Sequence, residues 1–222
     1  MISPVSEKPI VHVVDDDDSL RKAITRLLRA AGYDVSVYAS AGDFALASRE
    51  NKRRGCVLLD VRMPGPSGLD LQDALAREDE PLPVIFLTGH GDVPTSVRAM
   101  KAGAVDFLTK PIKRDVLLNA VRTALARDMR LHTSREQLRD LRARFAKLTP
   151  REREVFELVV AGRLNKQIAA ELGMAERTVK AHRGQVMAKM QVSFLAELVH
   201  LADKMQSGFE EPTQNAHQIR PR

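Results

Sequence analysis

Asp15 and Asp16 follow one apolar run, Asp60 ends a second, Thr88 follows a third and Lys110 a fourth. If those runs are parallel strands of one sheet, three carboxylates, a hydroxyl and an ammonium meet in one crevice. Three carboxylates that close together oppose one another's ionisation unless a cation intervenes. A hard divalent ion with oxygen ligands, Mg2+ above all, resolves the repulsion. Lys110 and the Thr88 hydroxyl would then hold an incoming phosphoryl group, which leaves Asp60 as the nucleophile. Acids and a lysine also gather on ordinary surfaces, but five suited residues at four strand ends argue for a built site.

The elements that must position these residues are legible in the apolar pattern. Cys56–Asp60 is short and apolar throughout, as expected of a parallel strand buried on both faces, and it runs into the turn Met63-Pro64-Gly65. Ile10–Val14 runs into Asp15-Asp16-Asp17-Asp18, four like charges that repel. Asp18 or Ser19 is expected to cap the helix Leu20–Ala31, which carries Leu20, Ile24, Leu27 and Leu28 at helical spacing. Capping leaves Asp15 and Asp16 unexplained. Strands at Val35–Tyr38, Val84–Leu87 and Val105–Leu108 alternate with helices at Ala41–Glu50, Gly68–Arg77 and Pro94–Ala102, and another helix starts near Lys113. The alternation predicts an α/β domain, a five-stranded doubly wound parallel sheet over residues 1–127.

No proline or glycine interrupts Ile112–Leu148, and Leu131, Leu138, Leu141 and Phe145 recur at spacings of seven, three and four. Residues 128–147 therefore read either as a long linker helix that pairs along this seam or as a flexible amphipathic connector. A small all-α domain follows over 148–205. Thr149, Pro150 and Glu152 form a capping box with proline at the first helical position. Helices are expected at Pro150–Ala161, Asn165–Leu172, Glu176–Met190 and Phe194–Lys204. The second and third, joined by a short turn, make a helix-turn-helix whose later helix suits a DNA major groove. Val179, Val186 and Met190 share one face and should be core, while Lys180, Arg183 and Gly184 form a separate stripe. Lys180 and Arg183 are the candidate DNA contacts, with Asn165 and Lys166 on phosphates. His182 either touches a phosphate or packs. The tail 206–222 has no periodicity and is expected to be disordered.

Charge and composition fit this division. Basic residues outnumber acidic ones 18 to 17 up to Arg127, 6 to 3 over 128–147 and 9 to 7 over 148–204. The basic back half is compatible with phosphate binding. The single cysteine, Cys56, excludes an internal disulfide and reads as a small core residue. No signal peptide or membrane-spanning run is expected, so the predicted site of action is the cytoplasm, without a membrane partner.

Over residues 10–127 the chain resembles the receiver domain of two-component response regulators, a flavodoxin-like fold. The matching pieces are Val14-Asp15-Asp16, Asp60-Val61-Arg62-Met63-Pro64-Gly65 with Ser67-Gly68, Leu87-Thr88-Gly89, and Ala104-Val105-Asp106-Phe107 leading to Lys110-Pro111. That resemblance implies phosphorylation of Asp60 by a sensor histidine kinase, and Mg2+ held by Asp15, Asp16, Asp60 and the backbone carbonyl of Arg62. It also implies a cis peptide between Lys110 and Pro111, a switch pair of Thr88 and Phe107, and a dimer face at Val97 and Lys101. Read without the resemblance, Phe107 is as well explained as a core aromatic. Arg62 and His90, two residues beyond Asp60 and Thr88, are expected to flank the phosphoryl group and tune its hydrolysis.

Residues 148–204 resemble the LuxR-type output domain, through Leu-Thr-Pro-Arg-Glu-Arg-Glu at 148–154, Asn165-Lys166-Gln167-Ile168-Ala169 and Thr178-Val179-Lys180-Ala181-His182-Arg183. Ala175 stands where that family usually has a capping serine, and Gly184 lies in mid-helix. Both weaken the recognition helix. Together the two halves resemble regulators of the NarL/FixJ type, closest to the FixJ branch. The resemblance implies a homodimer on phosphorylation and binding to double-stranded promoter DNA, with RNA polymerase a further candidate partner. The enzyme alternative is a Mg2+-dependent phosphohydrolase with an aspartyl nucleophile. Such enzymes of the haloacid dehalogenase type want a second aspartate two residues after the first. Arg62 stands there, and its guanidinium gives up no proton.

Overall fold

The structure is a computed structural model that describes residues 8–48, 54–78, 80–89 and 93–207. The chain divides between Leu131 and His132 into two compact units. In the first, β1 (Ile10–Val14), α1 (Asp18–Ala30), β2 (Asp34–Tyr38), α2 (Ala41–Ser48), β3 (Gly55–Asp60), α3 (Gly68–Leu75), β4 (Val84–Thr88), α4 (Val93–Lys101) and β5 (Asp106–Thr109) alternate, and α5 (Arg114–Ala146) begins there and ends in the second. The strands form one sheet in the order β2-β1-β3-β4-β5, every pair parallel.

The apolar run of β3 explains the layering, because successive side chains leave a strand on opposite faces. Val57 and Leu59 join a cluster with Phe44 of α2, Leu71 and Leu75 of α3 and Ala99 of α4. Cys56 and Leu58 join another with Ile24 and Leu28 of α1 and with Leu117 and Val121 of α5. Both faces are covered, so a strand with no polar alternation is what this sheet requires. Burial pushes the Cys56 thiol up to about 12, with the Asp128 charge adding to the effect, which fits an inert core residue.

The second unit contains α6 (Pro150–Val160), α7 (Asn165–Leu172), α8 (Glu176–Met190) and α9 (Leu195–Ser207) around one apolar cluster. Gly173 ends α7 in the left-handed region at φ 62°, which glycine adopts without Cβ strain. Val179, Val186 and Met190 are buried there as their shared face predicts.

Three expectations need correction. The cap of α1 is Asp17, whose carboxylate accepts from the backbone N–H groups of Ser19 and Leu20, because the helix begins at Asp18 and not at Leu20. The seam on α5 is not free for pairing along its length. The helix exists, but Leu141 is buried in the core of the second unit and Phe145 packs against that core, edge-on to Phe156. Finally, α9 continues through Ser207, so 206 and 207 are helical, while 208–222 lie outside the described residues. No helix among the described residues is long and apolar enough to cross a membrane.

Candidate functional site

The sheet register sets the rim of the first unit. Val14 of β1 pairs with Leu59 of β3, so Asp15 and Asp60 come out of the sheet side by side. Thr88 pairs with Thr109 across β4 and β5, and Lys110 is the next residue along. β1 and β3 flank the point where the strand order reverses, the usual crevice of such folds. Ligand oxygens of Asp15, Asp16 and Asp60 all lie within 4.8 Å of one another. Asp15 and Asp60 are buried and Asp16 is exposed. Lys110 Nζ donates to Asp15 Oδ2 at 2.7 Å and to Asp60 Oδ1 at 2.8 Å. The Lys110–Pro111 peptide is cis.

The electrostatics of this rim are unbalanced. Burial pushes the Asp60 carboxyl above its ordinary value; the bond and charge of Lys110 pull it down, and the charges of Asp15 and Asp16 push it up again. Burial disfavours the Lys110 ammonium, but its bonds to Asp15 and Asp60 raise it above its ordinary value. One ammonium thus faces three carboxylates. An all-oxygen set with that excess charge fits a hard divalent cation.

The aspartate run after β1 is fully accounted for. Asp15 points inward to Lys110, Asp16 faces the crevice, and Asp17 caps α1. Asp18 pairs with Arg21 at 3.2 Å and Lys22 at 2.7 Å. Arg21 also donates to the backbone carbonyl of Asp15, which fastens the loop to the helix. Sequence reasoning missed Arg21, for which the only signal was an arginine in the first turn of α1.

In the second unit, the Thr149 hydroxyl accepts from Glu152 N–H, and the Glu152 carboxylate accepts from Thr149 N–H at 2.7 Å and Lys189 Nζ at 2.6 Å. Arg144 of α5 donates to the Met190 carbonyl at the end of α8. Lys180 and Lys166 are exposed. Arg183 is half-buried and donates to Asn165 Oδ1 at 2.6 Å, so two candidate DNA contacts hold each other across α7 and α8. Ala175 occupies the N-cap of α8 and makes no side-chain cap bond.

Residues 11–122 match the response regulator receiver domain family, and residues 146–202 match the luxR family of bacterial regulatory proteins. Nodulation protein W of Bradyrhizobium diazoefficiens is 48% identical over 200 residues, 90% of this chain and 88% of that one. Transcriptional regulatory protein FixJ of Azorhizobium caulinodans is 44% identical over 86% of this chain and 90% of its own. Among solved structures, response regulator StyR superposes with a TM-score of 0.79 at 47% identity, covering 89% of this chain and 99% of StyR.

The chain is a response regulator.

More fully, it belongs to the response regulators that join a receiver domain to a LuxR-type DNA-binding domain, and its relatives are transcriptional regulators. In this response regulator the first unit brings Asp15, Asp16, Asp60 and Lys110 together. Thr88 is buried at the end of β4 beside them in register. Phe107 is partly buried, packs against the α2–α3–α4 side of the core and lies 6.0 Å from the Phe86 ring. Val97 and Lys101 are exposed on α4, and Val93 and Met100 extend the apolar row there. Arg62 is exposed beyond β3. His90 lies outside the described residues.

Proposed function

We propose that Asp60 accepts a phosphoryl group from the phosphohistidine of a sensor kinase and that this modification controls promoter binding by the second unit. The observation that supports it most directly is the carboxylate excess at the rim, with Lys110 already bonded to Asp60. An Asp60 carboxylate oxygen attacks phosphorus, the histidine N–P bond breaks, and an acyl phosphate forms as the imidazole leaves. Asp15, Asp16, Asp60 and the Arg62 carbonyl would hold Mg2+, which when bound neutralises charge on the transferring group. Lys110 and the Thr88 hydroxyl receive the phosphoryl oxygens, and the Phe107 ring follows Thr88 inward. Arg62 and His90 flank the group and set how fast water removes it.

Activation then favours a homodimer through Val97 and Lys101 on α4, a population shift driven by tighter phosphoryl contacts in the active state. Paired output domains bind double-stranded promoter DNA, with Lys180 and Arg183 toward the groove and Asn165 and Lys166 on phosphates. Arg183 already bonds Asn165, so binding shares that guanidinium between protein and DNA. RNA polymerase is the partner through which a bound dimer would act on transcription, and the chemistry belongs in the cytoplasm, where kinase and DNA meet.

The test is incubation with Mg2+ and acetyl phosphate followed by intact-mass and peptide analysis. One phosphoryl group on Asp60 is expected, with none on Asp60→Asn. No mass gain, or a gain on another residue, overturns the reading.

A further inference from the structure

Gln72 is a glutamine in an apolar setting. It lies on α3 between Leu71 and Leu75, is 3% exposed, and its Oε1 has no hydrogen-bond partner. A buried amide left half-satisfied is a costly way to fill space, and an apolar side chain of equal volume would avoid the cost. Its other half is fully used. Nε2 donates to the Ala99 carbonyl at 3.1 Å and to the Ala102 carbonyl at 3.2 Å. The Ala99 carbonyl also accepts from Ala104 N–H at 3.1 Å, so Gln72 adds a second donor there and one at Ala102 just past α4, bracing the end of α4 from a neighbouring helix.

The other end of α3 is fastened to the backbone of Val61, the residue after Asp60, and lies against the Asp60 carbonyl. Gly68 N–H donates to the Val61 carbonyl at 3.1 Å, and a Cβ on Gly68 would fall 2.2 Å from the Asp60 carbonyl oxygen. Only glycine permits that approach. The Ser67–Asp70 capping box fixes the first turn in place. α3 is therefore a two-turn strut with one end bonded to Val61 and packed on the Asp60 backbone, and the other tied through Gln72 to the end of α4. Asp73 adds an ion pair to Arg98 at 3.2 Å, but both groups are exposed and the pair is weak. Arg127 Nη1 donates to the Gly103 carbonyl and holds the following turn from α5. The exposed row of Val93, Val97 and Met100 thus rides on a helix whose C-terminal end is pinned.

We propose that Gln72 is a positioning residue that relays the state of Asp60 through α3 to the C-terminal turn of α4. This rests on the phosphorylation of Asp60 proposed above. The relay consists of backbone and one amide, and is separate from the Thr88–Phe107 pair on β4 and β5.

Contiguity alone does not establish coupling, so the test measures it. Gln72→Met keeps the volume and removes both donors; Gln72→Leu serves as a second variant should the thioether pack poorly. Wild type, Gln72→Met and Asp73→Ala are treated with Mg2+ and acetyl phosphate. Mass analysis reads phosphorylation of Asp60, and hydrogen exchange of residues 93–104 before and after reads the response of α4. Gln72→Met is expected to take the phosphoryl group to the wild-type extent while its α4 response falls at least about fivefold; Asp73→Ala should stay within about twofold of wild type. A wild type that gains no mass removes the function reading and the inference with it. A responding wild type beside an equally responding Gln72→Met removes the inference alone. Loss of phosphorylation together with the response would make Gln72 a structural residue and overturn the relay.

Discussion

Each unit of this response regulator contains a lysine bonded to a buried carboxylate at nearly the same distance, and the two behave in opposite ways. Lys110 lies 2.8 Å from Asp60, whose carboxyl is nonetheless held above its ordinary value by burial and by Asp15 and Asp16. Lys189 lies 2.6 Å from Glu152, whose carboxyl is held below its ordinary value by that bond and by Thr149 N–H. Distance does not separate them; burial does first, and charge stoichiometry adds to it. At Glu152 one acid meets one ammonium and a helix N-terminus, and the site is complete. At Asp60 three acids share one ammonium, and the site lacks positive charge. The first arrangement is complete as it stands; the second has the charge excess that a divalent cation would relieve.

The largest expected effect tests the completed site. Lys189→Met strands Glu152 and should destabilise the second unit by about 2 kcal/mol, less than a fully buried pair because Lys189 is partly exposed. The cost should begin to fade as pH falls below the ordinary glutamate value of 4.5 and disappear only below the lower folded-state value, since a depressed carboxylate stabilises only while it is charged. Thermal melts of the variant from pH 7 to pH 3 check both. A loss that persists in acid would show that packing dominates and would break the comparison.

Next, Mg2+ at ten times its dissociation constant should stabilise the first unit by about 1.4 kcal/mol, and EDTA should reverse it. The second unit's transition should not move. Equal shifts in both, read by calorimetry, would mean that the charge deficit is not local to the rim.

Ala175→Ser supplies the cap that α8 lacks and should add up to about 1 kcal/mol to the second unit in urea unfolding. The smallest effect is expected for Asp60→Asn without Mg2+, because Lys110 already offsets part of the strain. Its sign is what matters. An acid held above its ordinary value costs stability when ionised, so the variant should be more stable at pH 7. That advantage should vanish as pH falls below the ordinary value of 3.8, where Asp60 is neutral in both states. A destabilised variant at pH 7 would reverse the contrast with Glu152.

Much of the fold was legible because apolar runs and turn residues are local signals. β3 read as a doubly buried strand from Cys56–Asp60 alone, and the capping box at Thr149–Glu152 stands as its spacing predicts. The convergence of Asp15, Asp16, Asp60 and Lys110 followed from one rule, that parallel strands deliver their C-terminal ends to one edge. Leu141 and Phe145 were misread because an a/d spacing describes a face without naming what covers it, and their own domain does. Asp17 was missed as the cap because four adjacent aspartates offer the same chemistry and only the backbone chooses among them.

The sequence by itself determined which elements form and which chemical groups stand at their ends, since periodicity and capping act over a few neighbouring residues. Tertiary structure alone decided the bond of Gln72 to α4, the pairing of Arg183 with Asn165, and the opposite shifts of Asp60 and Glu152. Those depend on distances between residues far apart in the chain, and on how much water and how many opposing charges each group meets once the chain has closed around it.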